Sequence, residues 1–246
     1  MESRRYSIIY TYEESHWWYK GRRFFLENIL NSLNLPKNSK ILDIGCGGGF
    51  NLNILRKFGE ISGVDIEPKS IEYCKLRGFK NVRLIKKNSD KLPFRNNQYN
   101  LITCLDVLEH IDDDEKYLKE VNRILLRDGY LIIFVPSFQI LWGELDDRSK
   151  HFRRYRKGQL ISMLKKSGFQ VKFSRYFNFI FFLPILLVRL GQKLPFGERN
   201  RWGIDPIIES SFINKVLTAI FFLDISLARW ISPPFGISVC LVAKKI

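Results

Sequence analysis

The segment ILDIGCGGGF, residues 41–50, constrains this chain more than any other. An apolar run enters three glycines, Gly45, Gly47 and Gly49, and a helical pattern follows at once. Glycine allows the tight turn and a close approach of backbone to ligand. The helix start then offers N–H groups with no partner inside the helix. The strand–loop–helix context is what gives a glycine pattern its meaning. Here the spacing is DxGxGxG, with Phe50 where the third glycine of the dinucleotide pattern GxGxxG falls. Asp43, at the strand end, would repel a pyrophosphate but suits a ligand carrying an ammonium and a sulfonium. Charge complementarity therefore favours S-adenosylmethionine over a nicotinamide dinucleotide.

Around this loop, short apolar strands alternate with amphipathic helices. Strands are expected at 41–44, 61–64, 82–85, 101–104 and 130–135, and helices near 51–57, 69–76 and 114–126. That rhythm predicts βαβ units and a parallel, doubly wound α/β sheet. A helix near 159–167 and strands at 169–176 and 237–243 complete the count. Ahead of the glycine loop a helical pattern carries Phe25, Ile29, Leu30 and Leu33 on one side, and Pro36 closes it. Residues 1–246 read as a single domain, with an N-terminal lid or helix over 1–35 and an apolar helical insert over 177–234.

The insert holds FIFFLPILLV, about half the ~20 residues that span a bilayer and interrupted by Pro184. Its second apolar stretch, 212–231, is long enough but contains Asn214, Lys215, Asp224 and Arg229. Amphipathic helices that cover a site or lie in a membrane surface fit both stretches better than spanning helices do. Forty basic residues against 25 acidic give a formal charge of +15, a field that draws anions: acidic headgroups, phosphorylated substrates or nucleic acid. Four separated cysteines form no CxxC pair, which argues against a zinc site and for buried, reduced thiols. With a polar N-terminus unlike a signal peptide, this predicts a cytoplasmic location.

Asp65 ends the second expected strand, in GVDIEP, where a carboxylate can accept both hydroxyls of a ribose. Ile66 would flank the adenine. Together LDIGCGGG, GVDIEP, KLPFRNNQYNLITCLDVLEHI and LKEVNRILLRDGYLIIFVPS, over about 40–137, resemble the class I S-adenosylmethionine-dependent methyltransferases. The resemblance implies a Rossmann-like, seven-stranded sheet with an antiparallel last strand. It adds Cys46 to the cofactor loop with Gly45, Gly47 and Gly49. By position it places Asn88 at the adenine amine, Ser89 beside it, and Leu105 near the methionine end.

The acceptor side is less marked, because the donor arrives activated and alignment does much of the work. DVLEHI, with Asp106, Glu109 and His110, resembles a stretch in quinone-pathway O-methyltransferases where acidic groups and a histidine can bind a divalent ion. A polar turn and helix start account for these residues, so no metal is expected. Residues 141–160, LWGELDDRSKHFRRYRKGQL, resemble a subgroup that begins with an HWWY-like motif and an RR pair and is connected with glycan or lipid-linked sugar pathways. There Leu145 stands where a histidine is common, and Arg156 where a threonine cap is usual. On that resemblance His151 would be the general base, with Asp146 and His110 also catalytic. Arg154 would clamp a phosphate or carboxylate, helped by Arg153 and Tyr155. Trp17 and Trp18 would close over the substrate, or simply pack.

The expectation is O-methylation of a small-molecule, glycan or lipid-linked acceptor, with a membrane surface as the partner that the insert would suit. Charge alone motivates an RNA methyltransferase instead, but no RNA-binding module and no NPPY-like tetrad accompanies it. A third reading is a non-catalytic ligand-binding or scaffold member, since a fold does not guarantee chemistry. Nothing in the sequence fixes an oligomeric state.

Overall fold

Near-continuous apolar runs in the central strands put apolar side chains on both faces of one sheet, which therefore needs cover on both sides. The computed structural model describes residues 10–87, 91–192 and 211–246. Its sheet has seven strands: β1 Ser39–Ile44, β2 Gly59–Asp65, β3 Val82–Leu84, β4 Tyr99–Leu105, β5 Leu125–Pro136, β6 Phe169–Phe177 and β7 Ser238–Lys245. Their order is β3-β2-β1-β4-β5-β7-β6. Strands β1 to β5 pair in parallel. The last strand, β7, lies between β5 and β6 and runs antiparallel to both. This is the expected Rossmann-like α/β sheet with its antiparallel final strand. The order reverses between β1 and β4, the position where open α/β sheets bind ligands at their strand ends.

Alternate residues of each strand serve different cores. Leu42, Ile44, Ile102, Leu131, Ile133 and Leu241 face α4 (Asp114–Ile124) and α6 (Lys157–Lys166). Ile41, Leu101, Ile132, Phe134 and Val242 face α1 (Trp17–Ser32) and the insert. Helix α1 buries Phe25, Leu26, Ile29 and Leu30, and the side chain of His16 caps its start, accepting from Trp18 N–H at 3.3 Å. Leu33, expected on its apolar side, lies just past the helix end. The short α2 (Leu52–Leu55) and α3 (Pro68–Leu76) follow β1 and β2 as expected. A five-residue helix, α5 (Glu144–Arg148), stands in the segment read as loop.

The insert supplies α7 (Phe182–Gln192), with no buried residue, and α8 (Ser211–Ile231). Residues 193–210 lie outside the described residues. By length and composition α8 is apolar enough to cross a membrane. One face of it is nevertheless packed: Phe221, Asp224, Ile225 and Ala228 recur at spacings of three and four and are buried. The Asp224 carboxylate, fully buried, accepts from Asn178 N–H at 2.6 Å and Ile180 N–H at 2.8 Å. Helix α1 crosses α8 so closely at Gly21 that a Cβ there would fall within the Phe221 ring. The opposite face of α8 is a second apolar stripe, with Val216, Leu223, Leu227 and Trp230 exposed.

Candidate active site

The loop after β1 is folded onto the end of β2. Gly45 and Cys46 N–H both donate to Val64 C=O, at 2.8 and 3.1 Å. Gly45 and Gly47 have φ of +71° and +53°, where a side chain is strained. At Gly45 a Cβ would also strike Val107, whereas at Gly47 it would meet nothing within 4 Å. The loop is thus packed underneath and open above Gly47, a cradle a Cβ would begin to fill. Gly49 closes the turn with φ +86°.

Asp65, at the end of β2, ties this loop down. One carboxylate oxygen accepts from Gly47 N–H at 2.8 Å and the other from Glu67 N–H at 2.9 Å. Burial raises its pKa, against the pull of these bonds. Ile66, next along, is exposed, as a residue flanking a ligand ring must be. Leu105 is half-buried at the end of β4. Asn88 and Ser89 lie outside the described residues. This donor set and open cradle fit an adenosyl ligand: a carboxylate for ribose hydroxyls, an apolar side chain beside it, and glycines that admit the backbone.

Two expected ligand contacts are buried side chains. Asp43 is 1% exposed and sits beneath the loop, accepting from Thr103 Oγ at 2.6 Å. Its second oxygen is buried with no partner. Burial pushes its pKa up to about 7, despite the Thr103 bond and with Asp65's charge adding to the rise. Its carboxylate is buried on β1 and tied to β4 through Thr103. The Cys46 side chain is buried against Cys74, with sulfurs 3.8 Å apart, and Cys74 bonds to Gly47 C=O. All four cysteines are free and buried.

The N-terminal segment covers the loop in a way the sequence reading missed. Arg77, at the end of α3, pairs with Glu13 and with Gly48 C=O. Arg23 donates to the carbonyls of Glu13 at 2.5 Å and Glu14 at 2.8 Å. The two guanidiniums lie over Phe50, at 4.3 Å for Arg23 and 5.0 Å for Arg77. Arg22 turns inward, meeting Asp106 at 2.5 Å just past β4. The RR pair was legible as a motif, but its partners, Glu13, Asp106 and Phe50, belong to three separate segments.

On the acceptor side, the turn Leu108–His110 is stitched to the loop 151–155. Phe152 N–H donates to Glu109 C=O at 2.8 Å. The Tyr155 hydroxyl reaches Leu108 C=O at 3.0 Å and Asp114 at 2.9 Å. Arg153 meets Asp114 at 3.1 Å. These bonds bring His110 and His151 to a ring separation of 4.6 Å, edge to face. Asp146 accepts from Arg154 through both oxygens, at 2.9 and 2.8 Å, and lies 2.9 Å from His151 Nδ1. Burial works against its charge, but the bonds from His151 and Arg154 outweigh it and bring its pKa to about 2.

The expected acceptor-side residues are placed by burial and partner. Tyr155 is fully buried. Arg154, 9% exposed, spends its planar fork on Asp146 instead of on a phosphate. Arg153 is held by acidic partners. Asp146 is buried between His151 Nδ1 and the Arg154 guanidinium. Trp17 and Trp18 pack against Phe221, and Trp17 also against Phe181, so they join α1 to the insert. His110, His151 and the buried Glu109 lie together near this end of β4.

Residues 42–133 match a family model described as a methyltransferase domain. An uncharacterized protein of Methanocaldococcus jannaschii is 32% identical over 156 residues, covering 63% of this chain and 64% of its own length. A ubiquinone biosynthesis O-methyltransferase of Pelagibacter ubique is 30% identical over 120 residues, 45% of this chain and 50% of its own. The chain thus spans between half and two thirds of these relatives' length. Among solved structures, a SAM-dependent methyltransferase from Archaeoglobus fulgidus aligns over 91% of this chain and 94% of its own, with TM-score 0.57 and 21% identity. That likeness is one of fold.

Proposed function

We propose that this chain, whose residues 42–133 match a methyltransferase domain, uses S-adenosylmethionine to methylate an oxygen of an acceptor carrying an apolar tail, at a lipid surface. The observation that carries the lipid part is the second stripe of α8, with Val216, Leu223 and Leu227 exposed and Trp230 88% exposed. An isolated exposed leucine needs no explanation, but a stripe along a 21-residue helix whose other face is already packed does. Leu183, Leu187 and Leu190 repeat the pattern on α7. The basic excess of the chain favours an anionic surface.

The donor supplies an activated methyl group, and the protein's part is positioning. Asp65 and the backbone at Gly47 hold the adenosyl end. The acceptor oxygen is activated at Glu109, His110 and His151, with Asp146 fixing the ring of His151. The quinone O-methyltransferase relative supports oxygen as the acceptor atom.

The test uses purified protein, methyl-labelled donor and three acceptor fractions: extracted lipids, water-soluble metabolites and RNA. Label entering the lipid fraction, with co-sedimentation on anionic vesicles that Trp230→Glu/Leu223→Glu abolishes, is the expected result. Label in the water-soluble or RNA fraction alone would overturn the reading. Adenosyl binding without transfer to any fraction would move a ligand-binding role to the front.

A further inference from the structure

We propose that Glu109, His110 and His151 form a binding site for a divalent transition-metal ion. One ligand atom from each lies within 4.8 Å of the other two. Atoms that share a tetrahedral ion sit roughly 3.3 Å apart at ordinary zinc–nitrogen distances, so side-chain rotations of about 1 Å close the set. Two histidines and one carboxylate make a borderline donor set, suited to zinc, iron, cobalt or manganese and poorly suited to calcium or magnesium.

Three observations point the same way. Glu109 is 1% exposed, and its Oε2 is buried without a partner. A buried carboxylate oxygen left unpaired is costly, and a cation is one of the few things that offsets the cost. Secondly, His151 is turned by Asp146, which holds Nδ1 at 2.9 Å and is itself held by Arg154. With Nδ1 so occupied, Nε2 is the nitrogen for the ion, and a carboxylate behind a ligating imidazole is the usual support of such sites. Thirdly, the chain has only three histidines, and two of them meet here from segments 41 residues apart. The sequence reading expected no metal. The stretch that suggested one would use Asp106, yet Asp106 is paired with Arg22 and His151 takes its place.

The inference deepens the proposed function without standing in for it. An ion held at the strand-end mouth by three protein ligands keeps positions open for the acceptor's oxygen and raises its acidity.

Metal binding is measured directly, with no acceptor present. The full chain is stripped with a chelator and titrated with Co²⁺, read by visible absorption, and with Zn²⁺, read by calorimetry. One equivalent is expected, with tetrahedral cobalt bands. His110→Ala and His151→Ala abolish it, Glu109→Gln weakens it, and Asp146→Asn lowers affinity by about 10–100-fold. Circular dichroism checks that each variant folds, and Asp147→Asn, beside Asp146 but outside the set, leaves binding unchanged. No stoichiometric binding, or binding that survives His151→Ala in folded protein, overturns the site. A chain that binds cobalt and methylates nothing refutes the proposed function alone. A chain that methylates lipid in excess chelator and binds no metal refutes this inference alone.

Discussion

Gly21→Ala tests whether the insert packs on the N-terminal helix. In an open helix interior this change stabilises by about 0.8–1.0 kcal/mol, because glycine has the greater freedom to lose. At position 21 the new methyl would lie within the ring of Phe221, which is fully buried. The clash involves the ring from its first carbon outward, so rotation of the side-chain end does not relieve it. Forcing an extra methyl into a packed core costs roughly 1–3 kcal/mol. Expelling the ring instead forfeits roughly the 3–5 kcal/mol of a buried phenylalanine. The clash offsets or outweighs the helix gain, and a net loss of up to about 2 kcal/mol is expected. For a chain of this size the upper end of that loss is a fall in Tm of about 4–8 °C. Urea unfolding and a thermal scan both read it. In a Phe221→Ala background the same substitution should regain its helix benefit, so a double-mutant cycle gives a coupling of the same size as the clash. A rise in Tm for Gly21→Ala in the otherwise unaltered chain would refute the packing of α1 on α8, and with it the assignment of one face of α8 to the protein interior.

Three other substitutions probe the site. Asp43, with a pKa raised to about 7 from 3.8, binds more protons folded than unfolded. Stability should therefore fall as pH rises from about 4 to 7, by up to about 1.4 kcal/mol per unit, and Asp43→Asn should flatten that slope in urea titrations; an unchanged slope refutes it. Asp146 runs the other way: with a pKa near 2 its contribution, about 2 kcal/mol, is present above pH 4 and lost as pH falls toward 2. Asp146→Asn should lose that much at pH 7 and show a shallower acid limb, and equal stability at pH 7 would count against the Arg154 pair. Asp65→Ala should weaken S-adenosylmethionine binding by about 100-fold, the size of one charge-assisted hydrogen-bond set; calorimetry showing unchanged affinity would remove Asp65 from the cofactor site.

The strands and the glycine loop could be read from sequence because their signals are local. A run such as Leu131–Val135 carries its own period, and Gly45 and Gly47 announce a turn whatever surrounds them. Roles set by distant partners were not legible. Arg154 reads equally well as a clamp for phosphate or for a carboxylate, and only the fold shows Asp146 filling its fork. Tyr155 looks like a ligand-binding aromatic until Asp114 and the carbonyl of Leu108 take its hydroxyl. Helix α5 was hidden for a related reason: at five residues it is too short to show a period. The meeting of His110 with His151 depends on the Phe152–Glu109 and Tyr155–Asp114 bonds, which no spacing rule encodes.

The position of β7 has a consequence for assembly. As the last of the seven strands in the chain, it fills a slot between two strands made earlier. Phe134 must wait for Cys240, and Tyr176 for Val239. Until then β5 and β6 each expose an unpaired, apolar edge of the kind that recruits other chains. Pairings so far apart in sequence also close slowly. The vulnerable interval for this molecule therefore falls between the emergence of β6 and that of β7, when the gap in the sheet is still open. The exposed stripe of α8, which emerges just before β7, would be on the surface throughout that interval.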